Sequence, residues 1–230
     1  MKILFLTDSL GYPRVDGFET SAKDVWTYSV RNHVNKEDYS VEFYFDMKPF
    51  RDTSSLLRDV DNHCKSYNPD LIILQVGIVD CYPRALKRME LQVLSRVPYI
   101  NKLTKKIVNY YYKDLVKRRD IAYVSIGDYR NNLSELKSKF SGSQWLVIPI
   151  APTSNEYKKK NPLIEERVNL YNLVQKEVFG NDYKDDVYIE CCLDKLFLED
   201  NHHLSRYGHS VVSRKIIEYL KDFNTSDYLK

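Results

Sequence analysis

The sequence predicts an α/β fold of three layers, with a central parallel sheet of about five strands and helices on both faces. Short, almost wholly apolar runs recur along the 230 residues, as they do in strands buried on both sides. Between them lie stretches whose apolar residues recur at helical spacings of three and four. Strands that alternate with helices in this way join into a parallel sheet through helical crossovers. The length suits one well-filled core, so a single domain over 1–230 is expected.

The elements follow in order. Lys2–Thr7 (KILFLT) is the first buried strand. Residues 22–32 read as a helix, 40–45 (SVEFYF) as a second strand rich in aromatic side chains, and 54–65 as another helix. The turn NPD introduces a third strand, 71–76 (LIILQV), and WLVIPI at 145–150 gives a fourth. DVYIE at 186–190 is the weakest candidate and makes a fifth. Ile164, Val168, Tyr171, Val174 and Val178 mark one face of a helix. Val211, Val212, Ile216, Ile217 and Leu220 mark another near the end.

Residues 84–119 exceed what one crossover helix needs. They read as a helical insertion after the third strand, with Pro98 dividing it and Ile100, Leu103, Ile107, Tyr110 and Tyr111 forming an apolar stripe. Eleven Lys or Arg lie in this insertion against Glu90 and Asp114 alone, while the whole chain is only +3. A basic block of this kind suits an anionic ligand or an acidic membrane surface, and equally a solvated helical face. No nucleic-acid reader motif accompanies it.

The apolar run at the start is too short for a secretory signal and Asp8 interrupts it. No run reaches the ~18 apolar residues of a membrane span. Cys64, Cys81, Cys191 and Cys192 show no metal-ligand spacing, and reduced thiols are expected. A cytoplasmic protein, peripheral at most to the inner face of the membrane, is the reading that results.

Two short segments carry chemistry. TDSL places Ser9 at the carboxyl end of the first strand, where open α/β sheets bind ligands. Near the other end, DNHHLSRYGH sets Asp200 three residues before His203. A carboxylate so placed can accept the imidazole Nδ1 proton and leave Nε2 to take one from a serine. Each segment alone is also ordinary turn and cap chemistry. His202 is expected to face outward and His209 to pack on the last helix, so no metal site is read here.

Taken together, the two segments resemble the nucleophile block and the closing Asp-x-x-His block of the SGNH (GDSL-type) hydrolases, with Thr7 where Gly is usual. The resemblance implies a flavodoxin-like sheet, Ser9 as nucleophile, His203 as general base and acid, Asp200 as the orienting carboxylate, and no cofactor. DSLGYPR and GIVDCYPR also look like a subset of these proteins associated with bacterial surface-polysaccharide biosynthesis.

The pattern departs at the oxyanion hole. In the third block, GIVDCYPR, Gly77 and Asp80 are kept but Val79 stands in the Asn position, and no glycine lies between Gly17 and Gly77. Losing such a donor costs ~2.7–4 kcal/mol of transition-state stabilisation. Backbone N–H groups near Arg51 and Asp52 and the side chains of Arg14 and Arg84 are the candidate replacements, and the arginines could equally clamp Asp16 or Asp80. Asp8 and Asp80 are expected to support the loops.

The function expected is a serine esterase that removes an acyl group, acetyl first, from a saccharide or a nucleotide- or lipid-linked precursor. Transfer of the acyl group to a sugar is the alternative. A non-catalytic saccharide-binding or assembly protein is the third reading.

Overall fold

The computed structural model describes residues 1–224 except 12, 14–20, 38–39, 63 and 97; the side chains of 37, 62, 95, 98–103 and 222–224 are likewise left undescribed. Four parallel strands form the sheet: β1 Lys2–Thr7, β2 Glu42–Met47, β3 Leu71–Gln75 and β4 Gln144–Val147, in the order β2-β1-β3-β4. Thr7 pairs with Met47 on one side and Gln75 on the other, so β1 is central and ends level with both neighbours. Every residue of β3 is buried and only Lys2 of β1 is not, which is why both read as continuous apolar runs.

The order explains the layering. The β1–β2 crossover carries α1 Trp26–Glu37, and the β2–β3 and β3–β4 crossovers run the opposite way with α2 Thr53–Asn62 and α7 Ile126–Lys139. Right-handed crossovers in opposite directions put their helices on opposite faces. Accordingly α1 packs on α11 Arg206–Asn224, whereas α7 packs on both α2 and α9 Ile164–Phe179.

The expected fifth strand over 186–190 does not form. Val187 and Ile189 donate their N–H groups back to Lys184 and Asp186, so local turns consume the donors that a ladder would need. Val187 and Tyr188 still enter the core, and Tyr183 makes a lone parallel bridge to Val147. The fourth strand is also shorter than 145–150. Ile148 still donates to Leu74 O, and Pro149 then ends the pairing.

Helix α7 was not expected from the sequence. Its signal is there in Tyr129, Leu133 and Leu136, all buried, and in Ser125, whose Oγ caps the Asp128 N–H at 3.1 Å. Between β3 and α7 stand the short α3 Ile78–Cys81 and the insertion: α4 Arg88–Ser95, α5 Pro98–Tyr110 and α6 Tyr112–Arg119. Pro98 opens α5, where its missing N–H costs nothing. Arg119 ties α6 to α4 through both Glu90 oxygens, at 2.6 and 2.9 Å. The four cysteines are unpaired, and no helix among the described residues is long and apolar enough to cross a membrane.

Candidate active site

Ser9 opens a single helical turn, Ser9–Gly11, directly after β1 and between β2 and β3, where the strand order reverses. Four hydrogen bonds fix this turn. Leu10 N–H donates to Asp8 Oδ1 (2.9 Å), and Gly11 N–H to Asp8 O (3.3 Å). From α1, Trp26 Nε1 donates to Leu10 O (3.1 Å) and Thr27 Oγ1 to Gly11 O (2.7 Å). Gly11 is required by close approach: a Cβ there would lie 2.0 Å from Thr7 Oγ1. Thr7, the departure from the usual Gly, is therefore what the turn packs against.

The segment before the last helix brings His203 to Ser9. A loop between α10 Leu193–Leu196 and α11 closes on itself through Leu198 N–H to His203 O (2.8 Å) and Ser205 N–H to Leu196 O (2.9 Å). Asn201 sits at its tip with φ 60, the left-handed region that Asn tolerates. Its Oδ1 accepts from Ser154 Oγ at 3.0 Å. Asn201 was not singled out in the sequence; an Asn two residues before the histidine was the available signal.

Within this loop Asp200 Oδ1 accepts the N–H groups of His202 and His203, each at 2.9 Å, and Oδ2 lies 2.6 Å from His203 Nδ1. His203 Nε2 is 3.1 Å from Ser9 Oγ. Burial alone would raise the Asp200 pKa, but the His203 ring and the two N–H donors outweigh it and hold the carboxyl well below its usual range. Asp200 therefore stays charged beside a half-buried imidazole, which favours the Nδ1–H tautomer and leaves Nε2 able to accept a proton.

The remaining sequence-singled residues fall into three groups. Asp8 and Asp80 are buried beneath the turn, and burial pushes both up to about 7. At Asp8 the Leu10 N–H and Arg51 oppose that rise; at Asp80 Thr53 opposes it, while Asp52 and Asp8 add to it. Asp80 ties the loop after β3 to the start of α2 through Thr53 N–H (2.9 Å) and Oγ1 (2.6 Å).

Arg51 is a buried clamp on Asp46 (2.6 Å) and Asp59 (3.0 Å). The Asp52 N–H is already given to Ser55 Oγ (3.1 Å), and its Oδ1 caps Ser55 N–H in return (2.8 Å). By contrast, the N–H groups of Ser9, Arg51 and Gly77 make no hydrogen bond among the described residues. Gly77 has φ 122, and a Cβ would meet Tyr129 Oη at 2.5 Å. Val79 is buried in the core.

Arg84 does not pair with Asp80 but stacks on Tyr82 and Tyr123, each ring centre 4.4 Å from its guanidinium carbon. Arg14 and Asp16 lie outside the described residues.

His202 does not face outward. Tyr157 Oη lies 2.9 Å from its Nδ1, and it lines a small cleft with Leu10, Ile78, Ile150, Tyr157 and Phe197. The tight Asp200 turn rotates consecutive side chains apart, sending His203 to Ser9 and His202 into this neighbouring wall. His209 is buried in α11, and burial lowers it to about 4.

No family model matches the sequence, and no curated protein matches it. Solved structures do. A lipase/acylhydrolase from Enterococcus faecalis shares 14% identity over 96% of each chain with a TM-score of 0.62. An acetylxylan esterase from Geobacillus stearothermophilus shares 14% over 94% of this chain and 92% of its own, at 0.60. A psychrotrophic esterase from Pseudoalteromonas sp. shares 12% over 98% and 99%, at 0.56. Likeness at such identities establishes the fold, and that fold is the SGNH hydrolase fold.

Proposed function

We propose that this protein is a serine esterase of SGNH type that removes an acetyl group from a saccharide or saccharide precursor through an acyl-enzyme. The observation that carries it is one line of contacts, Asp200 to His203 at 2.6 Å and His203 to Ser9 at 3.1 Å. A binding module has no use for a charged carboxylate that orients an imidazole toward a serine.

The chemistry follows from those atoms. Ser9 Oγ attacks the ester carbonyl as His203 Nε2 takes its proton, and Asp200 stabilises the imidazolium. Ser9 N–H and Gly77 N–H are the donors we assign to the oxyanion, with Arg51 N–H the third candidate. His203 then gives the proton to the departing sugar oxygen. Water, deprotonated by the same Nε2, attacks the acyl-enzyme and releases acetate and Ser9. A sugar hydroxyl in place of that water would make the enzyme a transferase, the second reading.

The substrate class draws on two features. The cleft lined by Leu10 and His202, the chain neighbours of Ser9 and His203, is small and mostly apolar, which suits a short acyl group. The acetylxylan esterase shares this fold along nearly its whole length. The link to polysaccharide biosynthesis rests on the DSLGYPR and GIVDCYPR phrases.

The insertion fits a cytoplasmic enzyme working at an anionic bilayer. Met89, Val93, Ile107, Tyr110 and Tyr111 are exposed on it beside exposed Lys105, Lys106, Lys113, Lys117 and Arg118. Exposed apolar side chains among basic ones are the composition of interfacial helices.

Release of acetate from a panel of acetylated sugars, with Ser9→Ala as control, tests the proposal. Acetate release by the Ser9→Ala protein at the wild-type rate would overturn it. Acetyl transfer to an added saccharide, with little free acetate, would select the second reading.

A further inference from the structure

Arg84 carries a charge that no carboxylate among the described residues neutralises. Its backbone N–H donates to Ile121 O at 2.8 Å, which fixes where the side chain starts. The guanidinium then lies between the rings of Tyr82 and Tyr123. Its Nε is buried and makes no hydrogen bond among the described residues. The carboxylates of the surrounding segments are engaged elsewhere: Asp52 by Arg88, Glu90 by Arg119, Asp120 by Arg167 and Asp80 by Thr53. No carboxylate pairs with Arg84 among the described residues.

Stacking on two rings compensates a guanidinium only in part for lost water, and it leaves the planar N–H edge unsatisfied. An Arg held flat in this way presents its fork for bidentate contact with an oxyanion, phosphate above all.

Position links this feature to the esterase cleft. The Tyr82 ring that Arg84 covers meets the His202 ring edge-on at 6.3 Å and the Tyr157 ring at 6.0 Å, and both of those line the cleft. His202 in turn stands 4.7 Å from the His203 ring. The wall is preset: Tyr112 Oη donates to Pro83 O at 3.2 Å and Asn161 Nδ2 does so at 3.1 Å, holding the Tyr82–Pro83 turn in place.

We propose that Arg84, between Tyr82 and Tyr123, is a phosphate subsite one ring away from the cleft, and that the ester hydrolysed belongs to a phosphorylated saccharide. This deepens the esterase reading and rests on it for the word substrate; the subsite itself stands on the unpaired guanidinium. Sugar phosphates and lipid-linked sugar phosphates share the chemistry recognised.

Calorimetric titration of the full chain with inorganic phosphate and with a hexose 1-phosphate tests it. Wild-type protein is expected to bind both saturably and in a salt-sensitive way, and Arg84→Gln to weaken both by about tenfold or more. Arg84→Lys keeps the charge without the fork and is expected to fall between; it replaces the Gln variant if that one does not fold. Equal binding by wild type and the variant, or no saturable binding of either ligand, overturns the subsite.

A kinetic arm reads the ratio of kcat/KM for an acetylated hexose phosphate over its unphosphorylated counterpart, which is expected to fall by a similar factor in Arg84→Gln. Hydrolysis that does not depend on Ser9, with phosphate binding still lost in Arg84→Gln, overturns the esterase reading alone. Ser9-dependent hydrolysis with phosphate binding unmoved by Arg84→Gln overturns the subsite alone. Binding to phosphatidylglycerol vesicles, with phosphatidylcholine as control, separates the sources. Loss of vesicle binding without loss of hexose phosphate binding assigns Arg84 to a headgroup and overturns the saccharide assignment.

Discussion

Asp80 Oδ1 accepts both the N–H and the hydroxyl of Thr53, at 2.9 and 2.6 Å, and so joins the loop after β3 to the first residue of α2. Asp80 itself is wholly buried, and its other oxygen has no hydrogen-bond partner among the described residues. Burial, the largest influence, raises this carboxyl from 3.8 to about 7, and Asp8 nearby is raised to a similar value for the same first reason.

The sign of the resulting pH dependence is set by which state holds more protons. Between about pH 4 and 7 the folded protein binds protons at Asp80 and Asp8 that the unfolded chain has released. Stability from these two groups is full below the unfolded pKa and is lost as pH rises through about 7. Asp80→Asn keeps the acceptor to Thr53 and stays neutral. Its denaturation free energy is expected to fall less between pH 4 and 8 than that of wild type, by on the order of a few kcal/mol. Urea melts at each pH read this directly, and an unchanged slope would contradict the assignment.

Ser9→Ala and Asp200→Asn are expected to lose about 10³-fold or more in kcat on any ester the protein hydrolyses, with melting temperatures close to wild type. For Asp200→Asn the reason is the tautomer: an amide nitrogen facing Nδ1 favours protonation at Nε2, which removes the base from Ser9. Steady-state kinetics beside thermal melts separates this from simple unfolding.

Gly77→Ala is expected to destabilise the fold by about 1–3 kcal/mol, because it imposes a positive φ on a residue with a Cβ and forces Tyr129 and Ile150 to shift. The same change at Gly142, where a Cβ meets nothing within 4 Å, is the matched control. Chemical denaturation of both gives the comparison.

Charge reversal at Lys105 and Lys106 is expected to weaken binding to anionic vesicles by about 1 kcal/mol per charge removed, and more strongly at low salt. Both side chains are exposed and outside the cleft. Co-sedimentation across a salt series measures the effect; binding that does not move marks the basic face as merely solvated.

Much of this molecule is legible in its sequence. Ile3–Leu6 and Leu71–Leu74 read as strands because a strand covered by helices on both faces is apolar at every position, and runs this short are too brief for a buried helix. Ser9, Asp200 and His203 could be paired through the local spacing of two short segments. DVYIE misleads because Val187 and Tyr188 do enter the core while Ile189 stays exposed, and burial is not pairing: they arrive there from turns whose N–H groups bond locally. Helix α7 was passed over because only Tyr129, Leu133 and Leu136 of its fourteen residues are buried, too sparse a stripe beside the basic insertion.

By itself, then, the chain determined the order of its central elements and named Ser9, Asp200 and His203 as the candidates that the fold brings together, since both are written in nearest-neighbour patterns of apolar, hydroxyl, imidazole and carboxylate groups. Only the tertiary structure decided that His202, expected to face outward, lines the wall beside His203, for adjacent residues differ there by the rotation of one tight turn. It alone left Arg84 without a carboxylate among the described residues while giving Arg51 two, because ion pairing depends on what distant segments bring within about 4 Å. And it alone buried Asp8 and Asp80 together, where the loss of water, invisible in a sequence, changes what a carboxyl group is at neutral pH.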